Sequence, residues 1–320
     1  MSPRGVIYLF KPRAHPERAK RVEGSILASI FLSILFCRPA FAIPINSDAA
    51  LTAHKGEVIV REQIRYTRKS DDPSASDRTI DVIAIPTVLV YGITEKINVI
   101  ETYPIVYKDL DIDTSTGRAS REAAGFGDFK LLGKYLFWSR DWLGKTLRAD
   151  AIGGLEFPTG NTDEEDGLGK LPRDIQVGKG SWNPITGTVL TWQTLRQQVD
   201  LSFTYTFNTE GHGFEFGDVF NHDLSYQFRI WPWSFPKRRG IPAYINLVAE
   251  ANGVWEQKAE SGGSTVDASG GYTLFLSPGI QIVTKRFIAE VSVQLPAIQV
   301  VNGEQPETEF VLAGGFRVQF

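Results

Sequence analysis

The chain has 320 residues, 42% hydrophobic and 12% aromatic, with 34 Lys and Arg against 37 Asp and Glu, a formal net charge of −3. That balance argues against a nucleic-acid partner, whose binding face needs a basic excess. A single cysteine excludes a disulfide framework, and after the N-terminal region no run approaches the roughly 18 apolar residues of a membrane-spanning helix.

The chain opens with a basic leader in which Lys20 and Arg21 precede the short apolar run "SILASIFLSILFC" and then "RPAFA". The run is too short to span a bilayer, and Ala40-Phe41-Ala42 has the small-x-small form of a cleavage site. Residues 1–42 are therefore expected to be a removed signal peptide, although the stretch ahead of Lys20 is longer than usual. Cys37 falls inside this leader, so the exported chain would carry no thiol. Residues 43–55 are expected to form a periplasmic N-terminal segment, and residues 56–320 the folded body.

That body reads as about twelve strands, near 56–68, 80–91, 96–107, 125–137, 145–158, 180–193, 197–207, 218–230, 242–258, 271–284, 287–298 and 309–320. The first three are irregular: Glu62 falls on the apolar face of its segment, and Pro86 and Pro104 interrupt theirs. "GDFKLLGKY" offers Asp128, Lys130 and Lys134 to one face around Leu132, and "LRADAIGGLEF" offers Arg148, Asp150 and Glu156 around Ile152. "QVDLSFTYTF" is the cleanest segment, setting Val199, Leu201, Phe203, Tyr205 and Phe207 opposite a polar face that includes Asp200. "DLSYQFRI" repeats the pattern with Asp223 and Arg229 on its polar face, "INLVAEANGVWE" does so with Asn246, Glu250 and Asn252, and "AEVSVQL" with Glu290. The last segment places Phe316, Val318 and the terminal Phe320 on one face and Arg317 on the other.

The connections alternate between long (108–124, 159–179) and short (92–95, 194–196). An even strand number with alternating loop lengths is expected of an antiparallel up-and-down transmembrane β-barrel, with both termini on the short-turn side. None of the seven tryptophans falls in mid-strand. Trp138, Trp142, Trp192, Trp231 and Trp233 sit by short connections, while Trp182 and Trp255 lie near the opposite strand ends, as anchors at two membrane interfaces would. A soluble sandwich or lipocalin-like fold is the competing reading. It would sooner place Trp in the middle of its strands.

Several stretches in order resemble the family described as "MetA-pathway of phenol degradation": "YGITEKINVIETYPIVY" (91–107), "GFGDFKLLGKYLF" (125–137), "GLEFPTG" (154–160), "GKGSWNPITG" (178–187), "TYTFNTEGHGFEFGDVFNHDLSYQFRIWP" (204–232) and "FLSPGIQIVTKRFIAEVSVQLPAIQ" (275–299). The resemblance implies an outer-membrane β-barrel of transporter or channel type in a Gram-negative bacterium, without catalytic residues or cofactor. It also implies that the C-terminal strand, with Phe316, Val318 and Phe320, is the signal read by the barrel-assembly machinery. Lipid and lipopolysaccharide would be its surroundings and a small solute its cargo. The pathway name does not make phenol the solute.

Other chemistry finds less support. "TDEEDGLGK" is acidic but lacks the ligand alternation of a calcium loop, and "NTEGHGFEFGD" has no metal-ligand spacing. His222 and Ser225 are three apart, on opposite faces of a strand, and no G-x-S-x-G elbow occurs. The expectation is a channel passing small solutes, hydrophobic or aromatic compounds among them, by passive diffusion. The alternative is a plugged structural or surface-binding barrel without transport.

Overall fold

A computed structural model describes residues 42–234 and 243–320; the expected signal segment, Ala42 apart, lies outside them. The strands are β1 (Val58–Ser70), β2 (Thr79–Gly92), β3 (Ile97–Thr114), β4 in two runs (Gly117–Phe126 and Phe129–Trp142), β5 (Lys145–Phe157), β6 (Asn183–Thr194), β7 (Gln197–Thr206), β8 (Val219–Trp231), β9 (Ala243–Glu256), β10 (Gly271–Thr284), β11 (Phe287–Val301) and β12 (Glu307–Gln319). Both runs of β4 pair antiparallel with β3, one above the other, and are separated only by Gly127 and Asp128. They make one stave.

Every stave pairs with its sequence neighbour, and β12 closes on β1 from Ile59↔Gln319 to Ser70↔Glu307. The result is a closed twelve-strand antiparallel barrel. Closure leaves no sheet edge, so the backbone of every stave has a partner without water, as a bilayer demands.

Side chains alternate as the sequence pattern expects. Leu224, Tyr226, Leu247, Leu276, Leu295, Leu312 and Phe316 project outward and are exposed, while Ser225, Gln227, Glu250, Ser277, Gln281, Ser292 and Arg317 project inward and are buried. The seven tryptophans are 37–65% exposed, on the outer surface or in turns. Rings chain from stave to stave at the long-loop end, as in Tyr103–Phe129, Phe129–Phe157 and Phe157–Trp182 at 4.7, 5.4 and 5.0 Å. Phe287 and Phe316 stack at 6.0 Å at the end that carries the termini.

The expected long connection at 108–124 is instead strand. β3 and β4 continue their ladder to Thr114↔Gly117 and turn at 115–116. On this extension the amphipathic sense inverts. Ile80, Leu110 and Ala123 face inward and pack on Leu171, Ile175 and Val177 of the connection 158–182, while Asp109, Asp111 and Asp113 alternate with them on the other face. Above the bilayer, water lies outside the wall, so the apolar face turns in as in a soluble sheet.

Candidate functional site: a strap across the lumen

Residues 43–55, expected to hang in the periplasm, are folded into the barrel instead. Ile45, Ala49, Ala50, Leu51 and Ala53 are buried. The segment enters beside Val283 and Ile288 at the end carrying the termini, crosses the lumen, and returns to the β2–β3 turn, where the Thr52 hydroxyl donates to Glu95 O at 3.0 Å. Gly56, with φ of 81°, supplies the left-handed turn that feeds the chain into β1.

Inward side chains satisfy the strap's backbone in an ordered way. On one side, Glu250 accepts from Ile45 N at 2.7 Å and Asn46 N at 3.0 Å. On the other, guanidiniums and amides donate to its carbonyls: Arg317 to Pro44 O at 2.5 Å, Gln281 to Ile43 O at 2.7 Å, and Arg61 and Gln63 to Ile45 O. Further along, Lys134 donates to Asp48 Oδ1 at 2.6 Å and Ala49 O at 2.8 Å. Thr191 accepts from Ala50 N at 2.7 Å and donates to Asp200 at 2.6 Å. With the Asn98 amide turned to suit both, its oxygen accepts from Ala53 N at 2.8 Å and its nitrogen donates to Ala53 O at 3.2 Å. A buried peptide group without a partner costs a lost hydrogen bond, and here the barrel wall supplies the partners.

The polar side chains expected to line the lumen divide into sets. Glu290 bridges Arg61 at 2.8 Å and Arg317 at 2.9 Å. Glu156 bridges Lys130 at 2.8 Å and Lys179 at 3.0 Å. Asp223 accepts from Ser202 at 2.9 Å and Asn252 at 3.0 Å. Asp150 is fully buried beneath the strap with no hydrogen bond to either oxygen. Arg148 donates to Thr146 at 3.2 Å, and Arg229 and Asn246 are buried near the terminal end. Asp128 is placed otherwise. It sits in the break between the two runs of β4, and its carboxylate accepts from Gly160 N at 2.8 Å and Lys179 N at 2.7 Å, tying the 158–182 connection to the wall.

Two carboxylates of the acidic run in that connection are held in ion pairs. Arg121 holds Asp166 through two bonds of 2.8 and 2.9 Å, and Lys170 holds Asp163. Among the described residues no cluster of three or more His, Cys, Asp or Glu could hold a metal.

Beside the strap lies a cavity of about 490 Å³. Its strap, β7–β9 and β11 sides are largely polar, with Asp48, Ser202, Asp223, Asn252 and Gln294, whereas β1–β4 interleave Arg61, Arg65, Asn98 and Lys134 with an apolar patch of Ile59, Val88, Val90, Ile100 and Leu132. A second, narrow space of about 30 Å³ continues toward the terminal end and shares Ile43, Leu51, Ala53, Ile59 and Arg317 with the first. The strap itself, Arg61, Gln63, Arg65 and Gln281 were not singled out from sequence. The available signal was in "IPINSDAAL": a segment left in water has no reason to carry two isoleucines and a leucine.

A closed, tryptophan-girdled barrel with lipid-facing apolar and lumen-facing polar side chains defines a transmembrane β-barrel protein of the outer-membrane type. The model of the family "MetA-pathway of phenol degradation" matches residues 68–295, and the chain belongs to that family. The solved COG4313 outer membrane channel from Pseudomonas putida F1 is 14% identical, aligns over 86% of this chain and 100% of its own, and has a TM-score of 0.60. The β-domain of the Bordetella autotransporter BrkA (10% identity, 83% and 100% covered) and the CymD monoaromatic hydrocarbon channel (9%, 84% and 89% covered) match more loosely, with TM-scores of 0.39 and 0.38. No match was found among curated proteins.

Proposed function

We propose that this protein is a passive outer-membrane channel for small hydrophobic or aromatic solutes, exported by its first 42 residues and inserted through its C-terminal strand by the barrel-assembly machinery. The observation that carries the reading is the cavity beside the strap. A lumen built only for water and ions would be polar all round, yet β1–β4 set Ile59, Val88, Val90, Ile100 and Leu132 between their inward charges as an apolar patch, and Ile59 continues it past the strap toward the terminal end. A solute with an apolar body loses less by sliding along that wall than by crossing a polar pore.

The narrow point lies where Ile43 and Leu51 of the strap face Ile59 of β1, with room for roughly one or two waters. The strap is thus a constriction, and passage needs a small displacement of it rather than unfolding of the wall. The kinship with a family named for phenol degradation, and the fold shared with an outer-membrane channel, support this reading.

The second reading, a plugged barrel that binds or merely supports, draws on the same strap, whose backbone is held from both sides. Conductance of the refolded chain lacking residues 1–42, recorded in planar bilayers, separates the two. Discrete current steps that respond to added phenol or toluene support the channel, and silence from protein shown to be folded supports the plug.

A further inference from the structure

The charges that face the large cavity are almost all spoken for. Asp48 is paired with Lys134, and Arg61 and Arg317 share Glu290. Arg65 is different. Among the described residues it forms no ion pair; its two terminal nitrogens donate to neutral amide oxygens, Asn46 Oδ1 at 3.3 Å and Gln294 Oε1 at 2.8 Å. A guanidinium has five N–H donors in a planar fork that fits a carboxylate, and two neutral amides leave part of that fork without an acceptor and without a carboxylate in contact.

Its setting adds a second half to the site. Across β1 and β2, Arg65 stands opposite the small Ala84 and Arg61 opposite Val88. The same cavity is lined by Val88, Val90 and Ile100, and by the ring of Phe275. Arg61, Arg65 and Arg317 on β1 and β12 face Glu290 of β11 and Glu250 of β9; Glu290 contacts Arg61 and Arg317, and Glu250 acts on Arg65 only through space, so among the described residues no carboxylate touches the Arg65 guanidinium. Glu250 is occupied by the N–H groups of Ile45 and Asn46, and Asp223, which lines the same cavity, has each oxygen engaged, by Ser202 and by Asn252.

We infer that Arg65 and this apolar wall form a subsite for a small amphipathic monoanion, an aryl or short alkyl carboxylate whose carboxylate meets the guanidinium and whose body lies against Val88, Ile100 and Phe275. The inference rests on the proposed use of the lumen as a solute path and narrows its cargo from apolar compounds in general to their acids. Charge-assisted bidentate recognition supplies orientation as well as affinity, and the desolvated wall makes the body of the solute worth burying.

Fluorine NMR of the refolded chain lacking residues 1–42, in a neutral maltoside detergent, tests this with 4-fluorobenzoate, 4-fluorobenzyl alcohol and 4-fluorobenzylamine as probes. The expected result is benzoate binding at least about tenfold tighter than the alcohol or the amine. Arg65→Gln should erase that preference, and Arg65→Lys, which keeps the charge but not the fork, should retain only part of it. If Arg65→Gln does not fold, the lysine variant alone still has to narrow the gap. Equal binding of the three probes, an amine preference, a benzoate preference that survives Arg65→Gln, or no binding at all overturns the subsite. Bilayer conductance is read separately. Arg65-dependent benzoate binding without current sinks the channel and leaves the subsite standing, whereas current without a carboxylate preference does the reverse.

Discussion

Two lumen carboxylates of similar burial have different work, and single substitutions separate them. Glu250 holds only the strap's N–H groups and neighbouring polar side chains, whereas Glu290 neutralises two arginines of the wall itself. Hydrogen bonds to a charged group are worth roughly 1.5–3 kcal/mol each, and removing one partner of a buried ion pair costs about 3–5 kcal/mol. Glu250→Gln is therefore expected to speed amide exchange at Ile45 and Asn46 and raise conductance, with the urea midpoint of the barrel little changed. Glu290→Gln should lower that midpoint clearly. Equal midpoints in the two variants would contradict the division. Gly279 gives a steric version of the same test: a Cβ there would lie 2.6 Å from Ile45 Cδ1 and 2.9 Å from Val291 O. Gly279→Leu should push the strap aside and enlarge the current steps while heat-modifiable gel mobility still reports a closed barrel. Unchanged steps from the folded variant would show that the strap does not limit flow.

At the scale of elements, the staves from β5 to β12 were legible because lipid outside and polar groups inside impose a strict period of two. β7 and β8 are the clearest cases. The upper halves of β3 and β4 were missed for a physical reason: "DLDIDT" alternates just as regularly, but there the outer face meets water, so its aspartates look like a loop. β1 and β2 were obscured by Glu62, which faces outward and accepts from Thr87 at 2.8 Å, and by apolar residues on both faces of β2. The strap was missed because it is neither helix nor strand and its partners come from staves far away in sequence. Among the external turns, 71–78 has a definite pH signature. Asp72 accepts from Arg78 Nε at 2.6 Å, from the Ser74 hydroxyl, and from the N–H groups of Arg78 and Ser74, and the Arg78 guanidinium foremost holds its carboxyl well below the usual range. A carboxyl with a depressed folded value contributes stability above its unfolded value of about 3.9 and loses it as pH falls through the folded value. Amide exchange in 72–78 should thus stay slow at pH 4 and rise only well below it. In Asp72→Asn it should be fast even at pH 7. Loosening of the native turn near pH 4 would contradict the assignment.

Over the whole molecule, three layers have one physical logic. The outer surface is matched to lipid, the wall's hydrogen bonds close on themselves, and the lumen is polar with an apolar patch on its β1–β4 side. The sequence carried the first two in its periodicity and its tryptophans. It carried the third only in part, because which inward residues pair with one another, and which face open space, depends on closure of β12 on β1 and on where the strap lies. The most direct measurement of the central claim, that solute passes between the strap and the β1–β4 wall, is single-channel conductance with the strap pinned. Asn46 and Ser292 touch through their side chains at 3.1 Å, and a disulfide in Asn46→Cys/Ser292→Cys fastens the strap to β11, away from the apolar wall. The oxidised protein should keep its current steps and lose most of them when Leu51→Trp fills the gap. Abolition of current by the disulfide alone, restored by reductant, would show that the strap must leave the lumen and would contradict the path drawn here.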